Sequence, residues 1–379
     1  MFTHTLRNLL FYFGVIILFI FYGCDSNEPP VEKQFSSLEE EISSIIEHNI
    51  GVGAIIGVIN NRQQKEIFSY GTKSLNTGEA PDANTVFDIG SATKTFTGTL
   101  MALKYLNGNF TDDIVNNYLP SGQVTLPSRN GEEIRFIHLA THTSGLPRTP
   151  HVDGQNYPVP PGFDSRNPYS VYTTEDVYDY LTNYCTLEFE PSTWWGYSNT
   201  GYGLLGHIIG LIDGTNYETV LKREIFDVLG MDRSSLFLTE DQLSNYTLGY
   251  NSSLQNVPYY TANDIFQGCG MIKSTLNDMF KYLEAQMGLT YNSLANAINL
   301  THQPVLHQGS YGDQGIAWYI LELDDGQEIL WTGGDTQGHS SFLAFNKTSS
   351  TGVIILTNCS LHGAQINMGI EIMNAIIKY

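Results

Sequence analysis

The chain has 379 residues, of which 41% are apolar and 15% charged, so it can bury a large core as one domain or two. Asp and Glu number 39 against 18 Lys and Arg, which gives a formal net charge of -21. So acidic a chain repels phosphate backbones, and we therefore expect no nucleic-acid partner.

The first segment of the chain predicts export. A charge-free apolar run, NLLFYFGVIILFIFYG, follows Arg7 and ends before Cys24. A run this short suits a signal peptide better than a spanning helix. Gly23 before the cysteine, and the polar DSNEPP that begins just after it, resemble a bacterial lipoprotein signal, in which Cys24 becomes lipidated. We expect a signal peptide over 1–23 and a tether over 24–37. An uncleaved membrane anchor and ordinary secretion are the alternatives.

Strand patterns stand at both ends of the remaining chain, and helical patterns lie between them. GAIIGVI (53–59) and EIFSYG (66–71) predict a hairpin, and a helix follows from about Ala92. Residues 120–170 predict long loops around the short helical piece FIHLATH, and helices dominate from 175 to 290.

After residue 312 the strand pattern returns in IAWYILEL, QEILWTGG, SSFLAFN and GVIILTN, and a helix over about 362–378 closes the chain. The simplest assembly is one antiparallel sheet with strands from both ends and a helical insertion over about 92–310. We therefore predict an α/β fold of the α+β type, with one catalytic domain over 38–379.

Ser91 and Lys94 are the first candidate site residues. Three positions apart on a helix they share one face, and a serine at a helix start lies near free backbone N–H groups. A lone S-x-x-K is weak evidence for catalysis, and helix capping by the serine is the competing interpretation.

Tyr197 and Asn199, in WWGYSNTG, are the second pair. A phenol is a poor base at its free pKa of about 10, but an ammonium such as that of Lys94 would stabilise the phenolate. Taken alone, this tyrosine is one of 23 and favours an ordinary structural role.

The third element is LWTGGDTQGHSSFLAF (330–345). Thr-Gly-Gly on a strand lets another backbone approach closely, and its N–H groups could pair with a substrate as an added strand. A tight hairpin is the alternative.

Other patterns indicate no further chemistry. Cys185, Cys269 and Cys359 are odd in number and far apart, which predicts buried small apolar side chains. His138 and His142 have metal-like spacing but lack the glutamate of H-E-x-x-H, so we interpret them as loop and packing residues. GYGLLG, at 201–206, fits a dinucleotide motif, yet no apolar strand precedes it. We expect neither a metal nor an organic cofactor.

The order S-x-x-K, Y-x-N, [K/H/W]-T-G resembles the serine penicillin-recognising hydrolases, in the branch of class C β-lactamases and D-alanyl-D-alanine peptidases. LATHTSGLPR (139–148), YSNTGYGLLGHIIG, LGMDRSS and GCGMIKSTLNDMFKYL also resemble segments of that family. The resemblance covers roughly 40–379. It implies the β-lactamase/transpeptidase-like fold, an antiparallel sheet flanked by helices plus a helical subdomain.

The resemblance also implies the site residues. Ser91 is the nucleophile, Lys94 its partner and Tyr197 the general base. The N–H groups of Ser91 and Gly334 form the oxyanion hole. The residues that bind substrate are Asn199, Trp331, Thr332 and Gly333.

Trp331 departs from the family pattern, which has lysine or histidine at this place to hold a substrate carboxylate. Thr332 or Arg148 would have to replace that cation, and His339 would line the cleft beside the third motif. A β-lactamase or D-alanyl-D-alanine peptidase acting on β-lactams or short cell-wall-like peptides is the main hypothesis. An esterase of the same fold, favoured by Trp331, and a non-hydrolytic penicillin-binding sensor are the alternatives.

Overall fold

The computed structural model describes residues 35–47, 49–150, 157–307, 312–323 and 325–379. The chain divides into two units, Met1–Ser36 and Ser37–Tyr379. The predicted signal peptide and Cys24 lie outside the described residues. None of the helices within the described ranges is both long and apolar enough to cross a membrane.

Eight antiparallel strands form the main sheet, in the order β2-β1-β10-β9-β8-β7-β6-β5, and β3 and β4 form a separate pair. The strands are β1 Gly53–Ile59, β2 Lys65–Gly71, β3 Val86–Asp88, β4 Lys273–Thr275, β5 Leu306–His307, β6 Asp313–Gln314, β7 Tyr319–Glu322, β8 Glu328–Asp335, β9 Ser340–Asn346 and β10 Thr351–Thr357.

The predicted assembly of the sheet from both ends of the chain is confirmed. β1 pairs with β10 over Ala54–Ile59, so the first and last long strands are neighbours in the sheet. The four late strand patterns correspond to β7, β8, β9 and β10. The small β3–β4 pair was not predicted, because three-residue strands carry too little periodicity to recognise.

Each face of the sheet packs against its own apolar cluster. Ile56 of β1 faces a cluster with Ile42 of the first helix and Ile372 of the last. Ile55, one residue earlier, faces the larger cluster around Phe96. The alternation follows from the two-residue period of a strand, which sends successive side chains to opposite faces.

Helices cover both faces, and most lie between β3 and β5 in the chain. They are α1 Leu38–Ile46, α2 Thr93–Leu106, α3 Phe136–Ala140, α4 Thr174–Asp179, α5 Asn199–Ile212, α6 Tyr217–Leu221, α7 Asp227–Leu229, α8 Glu240–Ser244, α9 Asp264–Gly270, α10 Leu276–Met287, α11 Ala295–Thr301 and α12 Ala364–Lys378. The predicted final helix is thus confirmed as α12.

Helix α2 is buried on nearly all sides rather than on one face. Leu106, the last residue of the helix, is exposed, whereas Thr95, Thr97 and Thr99 are buried. Their hydroxyls donate to backbone carbonyls, for example that of Thr97 to Gly268 O at 2.7 Å. Threonines satisfied in this way can be buried at little cost, which hides a central helix from pattern analysis.

Candidate active site

Ser91 lies where the sheet meets the start of α2. It is in a 3-10 turn, Gly90–Ala92, that leads directly into the helix. A Cβ on Gly90 would lie 2.8 Å from the backbone nitrogen of Asp335, and the φ of Gly90 is +50°. Both facts require glycine, and they place Ser91 beside the end of β8.

Lys94 is buried one helical turn later and donates three hydrogen bonds. Its Nζ donates to Ser91 Oγ at 3.0 Å, to Asn199 Oδ1 at 2.9 Å and to the carbonyl oxygen of Cys269 at 2.5 Å. Lys94 therefore orients the hydroxyl of Ser91 and the amide of Asn199 against the backbone of α9.

The phenolic oxygen of Tyr197 lies 2.7 Å from Ser91 Oγ. The ring of Tyr197 has Lys94 Nζ at 4.9 Å from its centroid and Arg148 Cζ also at 4.9 Å. In the structure the Tyr197 hydroxyl donates to Ser91 Oγ, so a single hydrogen bond joins the two oxygens between which a proton would have to move.

Asn199 is the first residue of helix α5, and its side-chain amide contacts Lys94 and Tyr169. Its Nδ2 donates to the hydroxyl of Tyr169 at 2.7 Å, while its Oδ1 accepts from Lys94. Tyr169 is buried, which raises the pKa of its phenol and keeps it neutral. The second N–H of the Asn199 amide has no described partner and is free to meet a substrate carbonyl.

The loop after α3 holds the tyrosine motif, residues 197–199, in place through hydrogen bonds. Ser198 caps α5 by accepting from the N–H of Gly201 at 2.9 Å, and its hydroxyl donates to Pro147 O at 2.9 Å. The carbonyl oxygen of Arg148 accepts from the backbone N–H groups of Asn199 and Thr200. The segment LATHTSGLPR therefore holds the residues around Tyr197 in place.

Strand β8 approaches the nucleophile backbone as predicted for Thr-Gly-Gly. A Cβ on Gly334 would overlap the carbonyl oxygen of Ile89 and lie 2.9 Å from the amide nitrogen of Ser91. β7 pairs with β8 only as far as Trp331, so Thr332–Asp335 have no described strand on that side. The glycines lie within the strand, and β8 and β9 also form a tight hairpin through residues 336–339, so both interpretations of this segment hold.

Trp331 packs between aromatic rings. Its ring centroid is 4.7 Å from that of Tyr319 and 6.0 Å from that of Phe342. Gly333 lies against Ile366 of α12. Thr332 is buried, and its hydroxyl has no hydrogen-bond partner within the described ranges. The motif therefore offers a ligand the hydroxyl of Thr332 and the indole N–H of Trp331.

His339 does not line a cleft but is buried against the start of the nucleophile segment. Its Nδ1 lies 3.2 Å from Asp88 Oδ2, which also accepts from the hydroxyl of Tyr246 at 3.1 Å. Burial alone would raise the pKa of Asp88, but the charge and hydrogen bond of His339, helped by Lys273 and Tyr246, lower it. The contact between Asp88 and His339 connects β3 to the turn that follows β8.

The structure thus brings Ser91, Lys94, Tyr197 and Asn199 together, and it places Gly334 beside Ser91. Sequence reasoning missed Tyr169 and gave His142 only a packing role, although its imidazole lies 4.4 Å from the Tyr197 ring. Nothing in the local sequence marks Tyr169, since its partner is 30 residues away.

Two sets of residues dismissed from the sequence have structural roles. The glycines of GYGLLG lie inside α5, where Gly203 and Gly206 allow close contact with α9. Cys185, Cys269 and Cys359 are buried free thiols, as predicted. In the part of the chain that the structure describes, no three His, Cys, Asp or Glu side chains converge as metal ligands would.

Comparison with known proteins identifies the class of protein to which the chain is related. The family model described as "Beta-lactamase" matches residues 42–366. The chain is 23% identical to a β-lactamase of Pseudomonas fluorescens, covering 86% of this chain and 94% of that one. It is 22% identical to the D-alanyl-D-alanine-carboxypeptidase/endopeptidase AmpH of Escherichia coli (strain K12), covering 93% and 92%.

A third relative, penicillin-binding protein 4* of Bacillus subtilis (strain 168), is 27% identical over 73% of this chain, and the match spans only 61% of that protein. Among solved structures, a class C β-lactamase superposes with a TM-score of 0.74 at 23% identity, covering 89% of this chain and 96% of that one.

The chain therefore belongs to the beta-lactamase family. With its fold and site it is a serine hydrolase of the β-lactamase or D-alanyl-D-alanine peptidase type.

Proposed function

We propose that the protein cleaves amide or ester bonds through an acyl-enzyme on Ser91. The observation that carries the proposal is the hydrogen-bonded set of Ser91, Lys94 and Tyr197, assembled from two segments about a hundred residues apart. A nucleophile and its base within hydrogen-bond distance, with the nucleophile oriented by a third group, is the arrangement that covalent catalysis requires.

In the acylation step, Tyr197 as phenolate takes the proton of Ser91, and Oγ attacks the substrate carbonyl carbon. Tyr197 then gives that proton to the leaving nitrogen or oxygen as the scissile bond breaks. In deacylation a water replaces the leaving group: Tyr197 takes its proton and the hydroxide attacks the acyl carbon. The bond between the acyl carbon and Ser91 Oγ then breaks, and Tyr197 returns the proton to Oγ. Lys94 orients the serine oxygen through its hydrogen bond to Ser91 Oγ and lies 4.9 Å from the centre of the Tyr197 ring.

The oxyanion of each tetrahedral intermediate is held by the backbone N–H groups of Ser91 and Gly334 in this proposal. The tight contact of Gly334 with the Ile89–Ser91 backbone supports it, because it brings the two peptide groups side by side. Preorganised donors of this kind stabilise developing charge without reorganisation.

The substrate in this proposal is a β-lactam or a short peptide ending in D-alanyl-D-alanine. Asn199 donates to the acyl-side carbonyl, and Thr332 offers its hydroxyl to the carboxylate on the leaving side. Arg148 replaces the missing cation of the third motif. Its side chain is exposed, makes no hydrogen bond within the described ranges, and lies over the ring of Tyr197. A guanidinium with free donors is well suited to bind a carboxylate.

A second candidate, an ester hydrolase, is favoured by Trp331. The ring of this residue is committed to the stack with Tyr319 and Phe342, so the third motif contributes apolar surface instead of charge. Such a site would accept neutral esters that a lysine-lined site would not favour.

A substrate panel tests both candidates. The wild type, Ser91→Ala and the control Ser252→Ala, which changes an exposed serine, are assayed on a cephalosporin, a D-alanyl-D-alanine peptide and a short aryl ester. We expect Ser91→Ala to lose at least 1,000-fold in kcat, about the loss that follows removal of a nucleophile, with the control unchanged. Activity that survives in Ser91→Ala refutes the proposal. A stable penicilloyl adduct without turnover on any substrate would identify a sensor instead.

We also propose export and lipid anchoring, with a signal peptide over 1–23, a tether over 24–37 and the catalytic domain over 38–379. The sequence around Cys24 supports this. Cys24→Ser should move the protein from the membrane fraction to the soluble exported fraction. Unchanged membrane association of this variant would exclude the lipid anchor.

A further inference from the structure

His142 makes contact with the tyrosine motif at three points. Its carbonyl oxygen accepts from the N–H of Gly196 at 2.8 Å, and its Nδ1 accepts from the N–H of Ser198 at 3.1 Å. Its ring lies 4.4 Å from the ring of Tyr197 at an angle of 32°. The backbone N–H groups of the residues before and after Tyr197 are thus bound by one residue, whose ring also packs on that of Tyr197.

The backbone of His142 is in a conformation that side-chain-bearing residues seldom adopt. Its φ is +60°, in the left-handed region, where Asn, Asp and His are several-fold enriched over other non-glycine residues. In this conformation the carbonyl oxygen and the imidazole of the same residue both reach the 196–198 segment. Such strain persists only where the surrounding contacts fix it, and it clusters at functional sites.

The hydrogen bond from Ser198 also determines which nitrogen of the imidazole carries the proton. Nδ1 must carry a lone pair to accept, so the proton lies on Nε2. Burial, together with the charges of Lys94 and Arg148, lowers the pKa of His142 well below 6.5. The ring therefore stays neutral near neutral pH and adds no third positive charge beside Lys94 and Arg148.

We infer that His142 is a positioning residue for the general base, which keeps the phenolic oxygen of Tyr197 within reach of Ser91 Oγ. The inference rests on the proposed function, since it assigns His142 to the base of that mechanism. The competing interpretation is the one drawn from the sequence, a packing residue whose loss affects only stability. The two interpretations predict different kinetics. Only loss of a positioning residue should lower the rate per folded molecule, because misplacement of a catalytic group by about 1 Å can cost on the order of 100-fold in rate.

Two substitutions separate the possibilities. His142→Leu removes the acceptor and keeps an apolar side chain, whereas His142→Asn retains an acceptor oxygen near the place of Nδ1 and tolerates the left-handed backbone. His138 is the matched control. It belongs to the same segment, is largely buried, and its Nδ1 likewise accepts a backbone N–H, that of Arg135 at 3.2 Å.

The variants are compared in two assays: kcat and KM for a neutral aryl ester, and the rate at which a fluorophosphonate labels Ser91. In the labelling reaction the serine oxygen displaces fluoride from phosphorus while Tyr197 takes the serine proton. We expect His142→Leu to lose about 100-fold in kcat and in labelling rate with KM changed less than about threefold, and His142→Asn to recover to within about tenfold of wild type.

His138→Leu should retain wild-type kcat per folded molecule. If His142→Leu does not fold, the comparison is made between His142→Asn and His142→Gly, which keeps the backbone conformation and removes the acceptor. The inference is overturned if the variants lacking the acceptor match wild type in kcat, or if the His138 variants lose as much. Loss of the proposed function itself would show differently, as labelling and turnover that persist in Ser91→Ala.

Discussion

The hydroxyl of Tyr197 lies 2.7 Å from Oγ of Ser91, although the two residues are 106 positions apart in the chain. Lys94 donates to the same serine oxygen at 3.0 Å. In the mechanism proposed above Tyr197 activates the serine, so acylation should depend on its phenolic oxygen.

Removal of the phenolic oxygen should stop activation and leave the fold intact. We expect Tyr197→Phe to reduce kcat/KM by roughly 100- to 10,000-fold, the usual contribution of a positioned general base. The measurement is steady-state hydrolysis together with fluorophosphonate labelling of Ser91. Tyr291→Phe, at a fully exposed tyrosine, serves as the control. Equal rates in Tyr197→Phe and wild type would assign the base elsewhere.

Adjacent glycines of β8 should respond differently to substitution by alanine. A Cβ on Gly334 would overlap the backbone of Ile89 and press on the amide of Ser91, whereas the atom nearest to a Cβ on Gly333 is Cγ1 of Ile366 at 3.2 Å. Gly334→Ala should lose about 100- to 1,000-fold in kcat, the scale of a lost oxyanion donor. Gly333→Ala adds its Cβ away from the Ser91 amide and should lose at least about tenfold less in kcat than Gly334→Ala, and equal losses in both would contradict the assignment.

Arg148 should distinguish substrates by charge. The test uses a thioester with a free carboxylate on its leaving side and the methyl ester of the same compound. Arg148→Gln should lower kcat/KM for the carboxylate about 10- to 100-fold, the scale of a charge-assisted hydrogen bond, and change the methyl ester less than threefold. Arg148→Lys should fall between, and the exposed Arg62→Gln should match wild type. An equal fall for both substrates would place the action of Arg148 on Tyr197 instead.

His302 should make the fold less stable in acid. It is buried between the rings of Trp318 and Phe345, and burial, with the charge of Lys347, lowers its pKa to about 2. Below its ordinary pKa of about 6.5 the unfolded chain binds a proton that the folded protein does not. The free energy of unfolding therefore falls as pH decreases from 6.5 towards 2, by about 1.4 kcal/mol per pH unit.

Urea denaturation at pH 6 and pH 4 measures this contribution. His302→Gln stays neutral and can still reach Gln286, whose Oε1 lies 2.9 Å from His302 Nε2. Between the two pH values we expect its free energy of unfolding to fall less than that of wild type. The difference should be about 1.4 kcal/mol per pH unit, the contribution of one bound proton. His307→Gln, at an exposed histidine, should follow wild type. An unchanged slope in His302→Gln would contradict the buried neutral histidine.

Some of the site was visible in the sequence because its geometry is local. Ser91 and Lys94 share a helical face, and Gly333 and Gly334 indicate a close backbone contact that the structure confirms for Gly334. Tyr197 was assigned as the general base only by the family resemblance. Its spacing from Ser91 carries no physical information until the chain is folded.

The other parts of the site could not be predicted, because they depend on contacts between segments that meet only in the folded chain. The sequence around His142 and His339 is typical of loops, and their roles arise from segments that pack against them, the tyrosine motif and Asp88 respectively. Tyr169 is one of many tyrosines until Asn199 reaches it. The sheet was predictable because strands of seven residues carry a clear pattern, whereas the one-turn helices and two-residue strands do not.

Location of the covalent intermediate tests the central claim most directly. The wild type is mixed with an ester or a penicillin, quenched in acid within one turnover, digested and analysed by mass spectrometry. The account predicts the acyl mass on the peptide that contains Ser91, and its disappearance in Ser91→Ala while the exposed Ser252→Ala retains it. An acyl group on any other residue, or turnover by wild type with no adduct at Ser91 at any quench time, would contradict it.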